Sequence, residues 1–282
     1  MSLLQIAVLA VVQGLAELLP VSSSAHVVVA ERLMGIDPSS PQMTFLLVML
    51  HTGTVFAVIL YFWPRWRRWA GAPAGVRRGL VAALVVATAA TGVVGLALKK
   101  LIETVFLRGS GKQEIEALFS NLPLVAAALF AVGVLIVWAG LREGGPAKRA
   151  ELTTKDSLRV GAVQGLCLPF RGFSRSGATI STALLCGVDR ALAEDFSFAL
   201  AVILTPPVVA REALRLMKAV GPAGLSAGLF KPGLVGMVLS FFAGLAALRW
   251  LSSWLETGRW RYFGYYCFAA SAGVAAAAAL LR

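Results

Sequence analysis

The sequence predicts an all-α protein that crosses a membrane several times. Of its 282 residues, 58% are hydrophobic and only 14% are charged, and the mean hydropathy is +0.79. Soluble domains carry about a quarter charged residues. Several apolar runs approach the ~20 residues that a helix needs to cross a bilayer. Because no segment alternates with a period of two, a β-barrel is not expected.

Six apolar runs are long enough to span a membrane. We expect these helices at 43–63, 79–101, 120–141, 194–218, 233–254 and 262–281. Two other regions are broken into shorter pieces: 1–19 with 24–35, and 156–169 with 175–188. Pro20 and Pro169 end the first piece of each pair, since proline stops a helix. Backbone exposed at membrane depth needs protein or a watery cavity around it, so we predict two re-entrant helix pairs.

An ordered series of matches relates the two broken regions. "VQGL" occurs at 12–15 and 163–166, "MGID" at 34–37 is followed by "CGVD" at 186–189, and "TFLLVMLHT" at 44–52 by "SFALAVILT" at 197–205. Matches in one order at a nearly constant spacing indicate an internal repeat. We therefore expect one integral-membrane domain over 1–282. It comprises repeat one (1–63), connecting spans (79–141), repeat two (156–218) and C-terminal spans (233–281).

The distribution of charge orients the two copies. The net charge of +12 is concentrated in 65–78 and 142–159, which the positive-inside rule places in the cytoplasm. Residues 102–119, with mixed charges, then lie outside. Span 43–63 runs inward and 194–218 outward, so the copies are inverted and their broken helices meet near the midplane. No aromatic–basic groove accompanies the charge, so nucleic acid is not expected as a partner.

The stretch "GFSRSGAT" in the second copy has the composition of an anion-binding site. Arg175 would cost about 2.5–3.5 kcal/mol near the bilayer centre, which favours a functional role over a snorkelling or packing role. Ser174 can cap a helix whose first turn has free N–H groups. Together with Ser176 and Thr179 these groups favour a phosphate. Arg171 is a second cation that faces either the site or lipid headgroups.

In the first copy, Gln13 and Glu17 are four residues apart and share a helix face. A carboxylate beside an amide oxygen is suited to a hard cation such as Mg²⁺, which takes one or two carboxylates plus phosphate oxygens and water. The alternative is a hydrogen bond between helices. The same stretch therefore predicts either a metal site or a structural polar contact.

The serines that follow Pro20 supply a candidate nucleophile. His26 lies three residues beyond Ser23, and a serine next to a base, with Glu17 near, is typical of an activated nucleophile. Ser22 and Ser24 are expected mainly to cap the returning helix. The nucleophile stays open between Ser23, His26 and a water molecule.

Three other polar residues lie in or at the start of predicted spans. His51 either lines the same cavity or packs as a polar residue bonded to a neighbouring helix. Glu194 and Asp195 open a span, and we expect them to interact with its helix dipole.

The stretches "QGLAELLPVSSSAH" and "GFSRSGATIS", with "EDFSFALAV" downstream, closely resemble the undecaprenyl-diphosphate phosphatase family, also called bacitracin resistance proteins. The likeness covers nearly the whole chain. It implies a hydrolase of the bacterial plasma membrane that removes the terminal phosphate of undecaprenyl diphosphate and recycles the lipid carrier for cell-wall polymers. It also implies a site open to the outer, periplasmic face and a need for Mg²⁺ or Ca²⁺.

The resemblance assigns roles to the residues already singled out. By position it implies catalytic roles for Glu17, Ser23, His26 and Arg175, substrate contacts from Ser22, Ser174, Arg175, Ser176 and Thr179, and metal contacts from Gln13 and Glu17. The expected partners are a polyprenyl diphosphate lipid and membrane lipids, and the oligomeric state, a homodimer included, stays open.

This sequence departs from the family pattern at three positions. Arg171 replaces a proline, His51 stands where glutamine is more typical, and Gln13 rather than glutamate leaves one charge fewer for a metal. The competing interpretation is a transporter or flippase for an anionic polyprenyl lipid, since inverted repeats with midplane half-helices are characteristic of transporters.

Overall fold

The computed structural model describes residues 1–37, 40–106, 121–142, 149–224 and 227–280. Within these ranges the regular structure is helical, apart from one isolated bridge between Arg149 and Val188. In chain order the α-helices are α1 (Leu3–Leu18), α2 (Ser23–Leu33), α3 (Pro41–Ala70), α4 (Ala74–Leu101), α5 (Leu122–Leu141), α6 (Thr154–Cys167), α7 (Arg175–Leu185), α8 (Arg190–Gly224), α9 (Ala227–Glu256) and α10 (Trp260–Leu280). A π-helical turn, Ile102–Phe106, continues α4.

Six of these helices are long and apolar enough to cross a membrane, namely α3, α4, α5, α8, α9 and α10. This confirms the six predicted spans and makes the chain a multi-pass membrane protein. The predicted basic loop at 65–78 is wrong in extent, because α3 continues to Ala70 and α4 begins at Ala74. Arginine is a good helix former, and Arg67 and Arg68 suit the carboxyl end of the α3 dipole.

Two of the predicted connections fall partly outside the described residues. Of the predicted outer connection at 102–119, residues 107–119 lie outside the description. Of the predicted basic connection at 142–159, residues 143–148 lie outside it. Residues 154–159 belong to α6.

The four remaining helices are too short to span. The longest, α1, has 16 residues and is about 24 Å long at 1.5 Å per residue, less than the ~30 Å hydrocarbon core. The chain breaks after α1 at Pro20 and again at Ser22, whose φ is 68°. The second pair breaks at Gly172, whose φ is 102°. The predicted helix breaks are therefore confirmed.

Two of the short helices, α1 and α6, have similar packing partners. Helix α1 packs on α9 and α6 packs on α4 to a similar extent, whereas α3 packs extensively on α9 and α8 only slightly on α4. Helix α5 packs on α10. The matching contacts of α1 and α6 are what an internal repeat would produce, and the division of the chain into repeats and connecting spans stays a prediction.

The shared "VQGL" motif has a packing cause in both copies. A Cβ added at Gly14 would lie 2.7 Å from the Ser240 carbonyl oxygen on α9. One added at Gly165 would lie 3.0 Å from the Thr91 carbonyl oxygen on α4. Each copy thus uses the same glycine to bring its short helix against the backbone of a spanning helix.

Helices α3 and α8 run antiparallel, as expected for inverted copies. Phe62 stacks on Phe198 with ring centroids 4.9 Å apart. Further along α3, Arg65 donates to Glu194 at 2.7 Å and to Asp195 at 2.9 Å. Later residues of α3 thus meet earlier residues of α8. The two carboxylates bind an arginine, so our interpretation of them as helix-start charges is wrong; α8 already begins at Arg190.

Candidate active site

The first copy places a carboxylate against a serine hydroxyl. Glu17 lies in the last turn of α1, and Ser23 opens α2 after the sharp turn. Ser23 Oγ donates to Glu17 Oε2 at 2.5 Å. Gln13 Nε2 donates to the same oxygen at 3.2 Å. A short hydrogen bond to a carboxylate orients the hydroxyl and provides an acceptor for its proton.

The second copy supplies the cation. Ser174 caps α7, its Oγ accepting from the Gly177 N–H at 3.3 Å, as the sequence predicted. Arg175 Nη2 donates to Glu17 Oε1 at 3.2 Å. The Glu17 and Arg175 side chains are only 15% and 21% exposed, so their attraction is weakly screened. Residues far apart in sequence thus share one site.

These groups line a cavity of about 280 Å³, which we call the polar cavity. Its walls come from both copies and include the predicted residues Glu17, Ser22, Ser23, Ser174, Arg175 and Ser176. A wall of α8 that includes Leu204 and Val208 adds apolar surface. The cavity can therefore hold a charged group at its base with an apolar group beside it.

Arg175 has hydrogen-bonding capacity left over. Among the described atoms, its Nη1 is buried and makes no hydrogen bond. An unsatisfied buried donor needs an explanation, because desolvation without a partner costs about 1–3 kcal/mol. A ligand oxygen in the polar cavity would satisfy it.

His26 is not brought to Ser23. Its Nδ1 donates to the Ser22 carbonyl oxygen at 2.8 Å, and its Nε2 lies 2.7 Å from the Tyr266 hydroxyl. Because the carbonyl only accepts, Nδ1 carries the proton and Nε2 accepts from tyrosine. His26 lines a separate cavity of about 290 Å³ with aromatic walls. In this geometry the base that contacts Ser23 is Glu17, and the expectation that His26 is next to Ser23 is wrong.

Two other predicted contacts differ from expectation. Thr179 is fully buried; its hydroxyl donates to the Arg175 carbonyl oxygen at 2.8 Å and lies 2.6 Å from Ser197 Oγ. Thr179 therefore stabilises the first turn of α7 and links it to Ser197 on α8, and it does not line the polar cavity. Ser22 occupies the N-cap position of α2, but its side chain makes no capping bond and lies 3.2 Å from Ser24 Oγ. The positive φ at Ser22 turns the chain instead.

Two residues of the polar cavity, Gln164 and His51, were not predicted as site residues from the sequence. Gln164 is fully buried, and its Nε2 donates to Thr91 at 3.0 Å while Oε1 has no partner among the described atoms. Its place in the second "VQGL", matching Gln13, was the available signal. For His51 the sequence left open whether it lines the cavity or packs against a neighbouring helix. It lies on the cavity wall, and its Nε2 is 3.9 Å from Glu17 Oε2.

The site has a modest set of donors for a metal. Among the described residues, no group of three or more His, Cys, Asp or Glu side chains is arranged so that it could hold a metal ion by itself. Glu17 presents a carboxylate to the cavity, whereas Gln13 is buried behind it and reaches it with the amide nitrogen. One carboxylate with phosphate oxygens and water fits Mg²⁺, which rarely uses an all-protein cage.

The fold and site define a class: a multi-pass helical membrane protein with a carboxylate, a serine and an arginine in one cavity. The chain belongs to the bacitracin resistance protein BacA family, whose sequence profile matches residues 6–273. It is 55% identical over 276 residues to undecaprenyl-diphosphatase 2 of Acinetobacter baylyi, covering 96% of each chain. It is also 36% identical over 268 residues to undecaprenyl-diphosphatase of Desulfosudis oleivorans, covering 93% of each.

Proposed function

We propose that this protein hydrolyses undecaprenyl diphosphate to undecaprenyl phosphate and inorganic phosphate. In the bacterial plasma membrane this reaction would recycle the lipid carrier for cell-wall polymers and confer resistance to bacitracin. Family membership and the relatives' names support the proposal. The observation that carries it is the Glu17 carboxylate, which holds the Ser23 hydroxyl and the Arg175 guanidinium at the same time.

The geometry supports the following sequence of steps. Arg175 and the first turn of α7 bind the terminal phosphate. Ser23 Oγ attacks the terminal phosphorus, its proton passes to Glu17, and the bond to the bridging oxygen breaks. Glu17 then protonates the departing undecaprenyl phosphate. A water molecule attacks the phosphoserine and gives a proton to Glu17, which returns it to Ser23 Oγ as phosphate leaves.

Most of the acceleration in this scheme comes from positioning and charge. Arg175 Nη1, which has no described partner, is the group that we assign to charge developing on the phosphoryl oxygens. Glu17, oriented by Gln13, is our assignment for holding Mg²⁺ or Ca²⁺. When bound, such a cation would neutralise phosphate charge.

We further propose that the site opens to the outer face and that α1–α2 and α6–α7 are re-entrant. The cluster of arginines around the α3–α4 connection supports the orientation, because it favours a cytoplasmic location. The shortness of α1, α2, α6 and α7 supports the re-entrant pairs. Cysteines introduced at Ala72 and Asn121 test the orientation with a membrane-impermeant label on intact cells. We expect labelling at 121 alone; labelling at 72 alone would reverse the orientation.

The decisive experiment measures phosphate release from a short-chain prenyl diphosphate by the purified protein with Mg²⁺. We expect turnover in the wild type and a loss of at least about 100-fold in kcat/KM for Arg175→Ala and Glu17→Ala. Arg77→Ala, which removes an exposed arginine, is the matched control and should retain activity.

Full turnover in Arg175→Ala would contradict the assignment of the phosphate site. A folded wild type that binds the lipid diphosphate but never hydrolyses it would instead favour a transporter, the candidate suggested by the inverted repeat.

A further inference from the structure

His51 has one ring nitrogen fixed and the other directed at the site. It lies on α3 and shares the wall of the polar cavity with Glu17 and Ser23. Its Nδ1 is 2.8 Å from the Leu47 carbonyl oxygen. Since a carbonyl only accepts, Nδ1 carries the proton, and in the neutral ring the lone pair of Nε2 is left for another partner.

The position of Nε2 suits a cation shared with Glu17. Nε2 is 3.9 Å from Glu17 Oε2, which is too long for a direct hydrogen bond. Two protein ligands that each lie about 2.0–2.2 Å from one divalent ion are about 3–4 Å from each other. The observed separation falls within this range.

The surroundings of the ring also match those of a metal ligand. Histidines that bind metals almost always donate their other ring N–H to a carboxylate, a backbone carbonyl or water, which fixes the tautomer. Leu47 provides this support to His51. The competing arrangement is a charged imidazolium attracted to Glu17, and it leaves no nitrogen lone pair for a cation.

We propose that His51 Nε2 is a ligand, together with Glu17, of the divalent cation in the polar cavity. Oxygen donors suit Mg²⁺ and Ca²⁺, whereas imidazole suits transition metals. The nitrogen therefore shifts the cation preference of this chain away from Mg²⁺ and Ca²⁺ and towards transition metals such as Co²⁺. The inference rests on the cation site of the proposed function and extends it by one residue and a class of metal.

Electron spin-echo spectroscopy of bound Mn²⁺ tests this directly, because it detects the nuclear spin of a coordinated nitrogen. The chain contains 2 histidines, so full-length protein purified with a histidine-free tag gives an assignable signal. His51→Gln removes the proposed ligand and retains a polar side chain. His26→Gln is the matched control, since His26 faces the other cavity.

We expect nitrogen coupling in the wild type and in His26→Gln, and none in His51→Gln. The Kd for Mn²⁺ should rise by at least about tenfold in His51→Gln, with a clearly smaller change in the Kd for Mg²⁺ measured by competition. Nitrogen coupling that persists in His51→Gln, or that is absent from the wild type, overturns the inference, as does a failure of the wild type to bind Mn²⁺.

Hydrolysis is measured separately on the same samples. A protein that shows coupling dependent on His51 but releases no phosphate with any of these cations keeps the metal inference and loses the proposed function. A protein that hydrolyses with Mg²⁺ but shows no nitrogen coupling keeps the function and loses the inference.

Discussion

Gly172 is the position where substitution should be most informative about how the site is built. It lies between Arg171 and the Ser174 cap, with a φ of 102°. A Cβ there would overlap the Val125 carbonyl oxygen and lie 3.2 Å from Ala128 Cβ. The conformation costs a residue other than glycine about 1–3 kcal/mol, and overpacking adds about 1–3 kcal/mol. Gly172→Ala should therefore destabilise the protein by about 2–6 kcal/mol.

Two control variants separate these contributions. Gly35 has a φ of 63° with nothing within 4 Å of an added Cβ, so Gly35→Ala should show the conformational cost alone, about 1–2 kcal/mol. Gly79, exposed on α4, also has open space and no positive φ. Gly79→Ala should stabilise the helix by about 0.5–1 kcal/mol.

Thermal unfolding of detergent-purified protein, followed by tryptophan fluorescence, gives the order of midpoints. We expect Gly79→Ala at or above the wild type, then Gly35→Ala, then Gly172→Ala. Any folded Gly172→Ala should also have a reduced kcat/KM, because the loop that carries the Ser174 cap must move. A midpoint for Gly172→Ala equal to that of Gly35→Ala would refute the close-contact argument.

Two further predictions concern the nucleophile and the start of α6. Ser23→Ala should lower kcat/KM for phosphate release by at least ~100-fold, and Ser24→Ala much less, because Ser23 alone of the two donates to Glu17; equal losses would contradict this assignment. Burial raises the pKa of the Asp156 carboxyl, but hydrogen bonds from Thr153 and Arg149 outweigh burial and hold this pKa below its ordinary value of 3.8. The ionised Asp156 carboxylate therefore stabilises the folded protein fully at pH values above its ordinary pKa. This stabilisation is lost as the pH falls through the lowered pKa of the folded state. The thermal midpoint of the wild type should exceed that of Asp156→Asn at pH 7 and converge with it in acid; a constant difference would refute this.

Much of the architecture could be predicted because local patterns decide it. Apolar runs of sufficient length give the six spanning helices, and the breaks at Pro20 and Gly172 give the short pairs. The recurrence of "VQGL" predicted an internal repeat, which stays a prediction. The helix ends were less predictable: α3 continues through arginines that the charge pattern suggested were a loop.

The candidate site was predicted in composition, but its contacts were only partly predictable. Glu17, Ser23 and Arg175 do share a cavity. The positions of the two histidines, in contrast, did not follow from their spacing in the chain. His26 is three residues from Ser23 in the chain, yet it pairs with Tyr266, whereas His51 approaches Glu17 from another helix.

The sequence by itself determined that this chain is a multi-pass helical membrane protein, and it predicted that an acid, a serine and an arginine belong to one site. These features follow from composition, from period and from the cost of charge in lipid, all of which are properties of single segments. The tertiary structure decided which polar groups meet, because the rotation of each helix depends on what packs against it. Gly14 sets α1 against α9, and Tyr266, 240 residues beyond His26, binds that ring. No local pattern specifies such contacts, since their partners lie on helices that only the completed fold brings together.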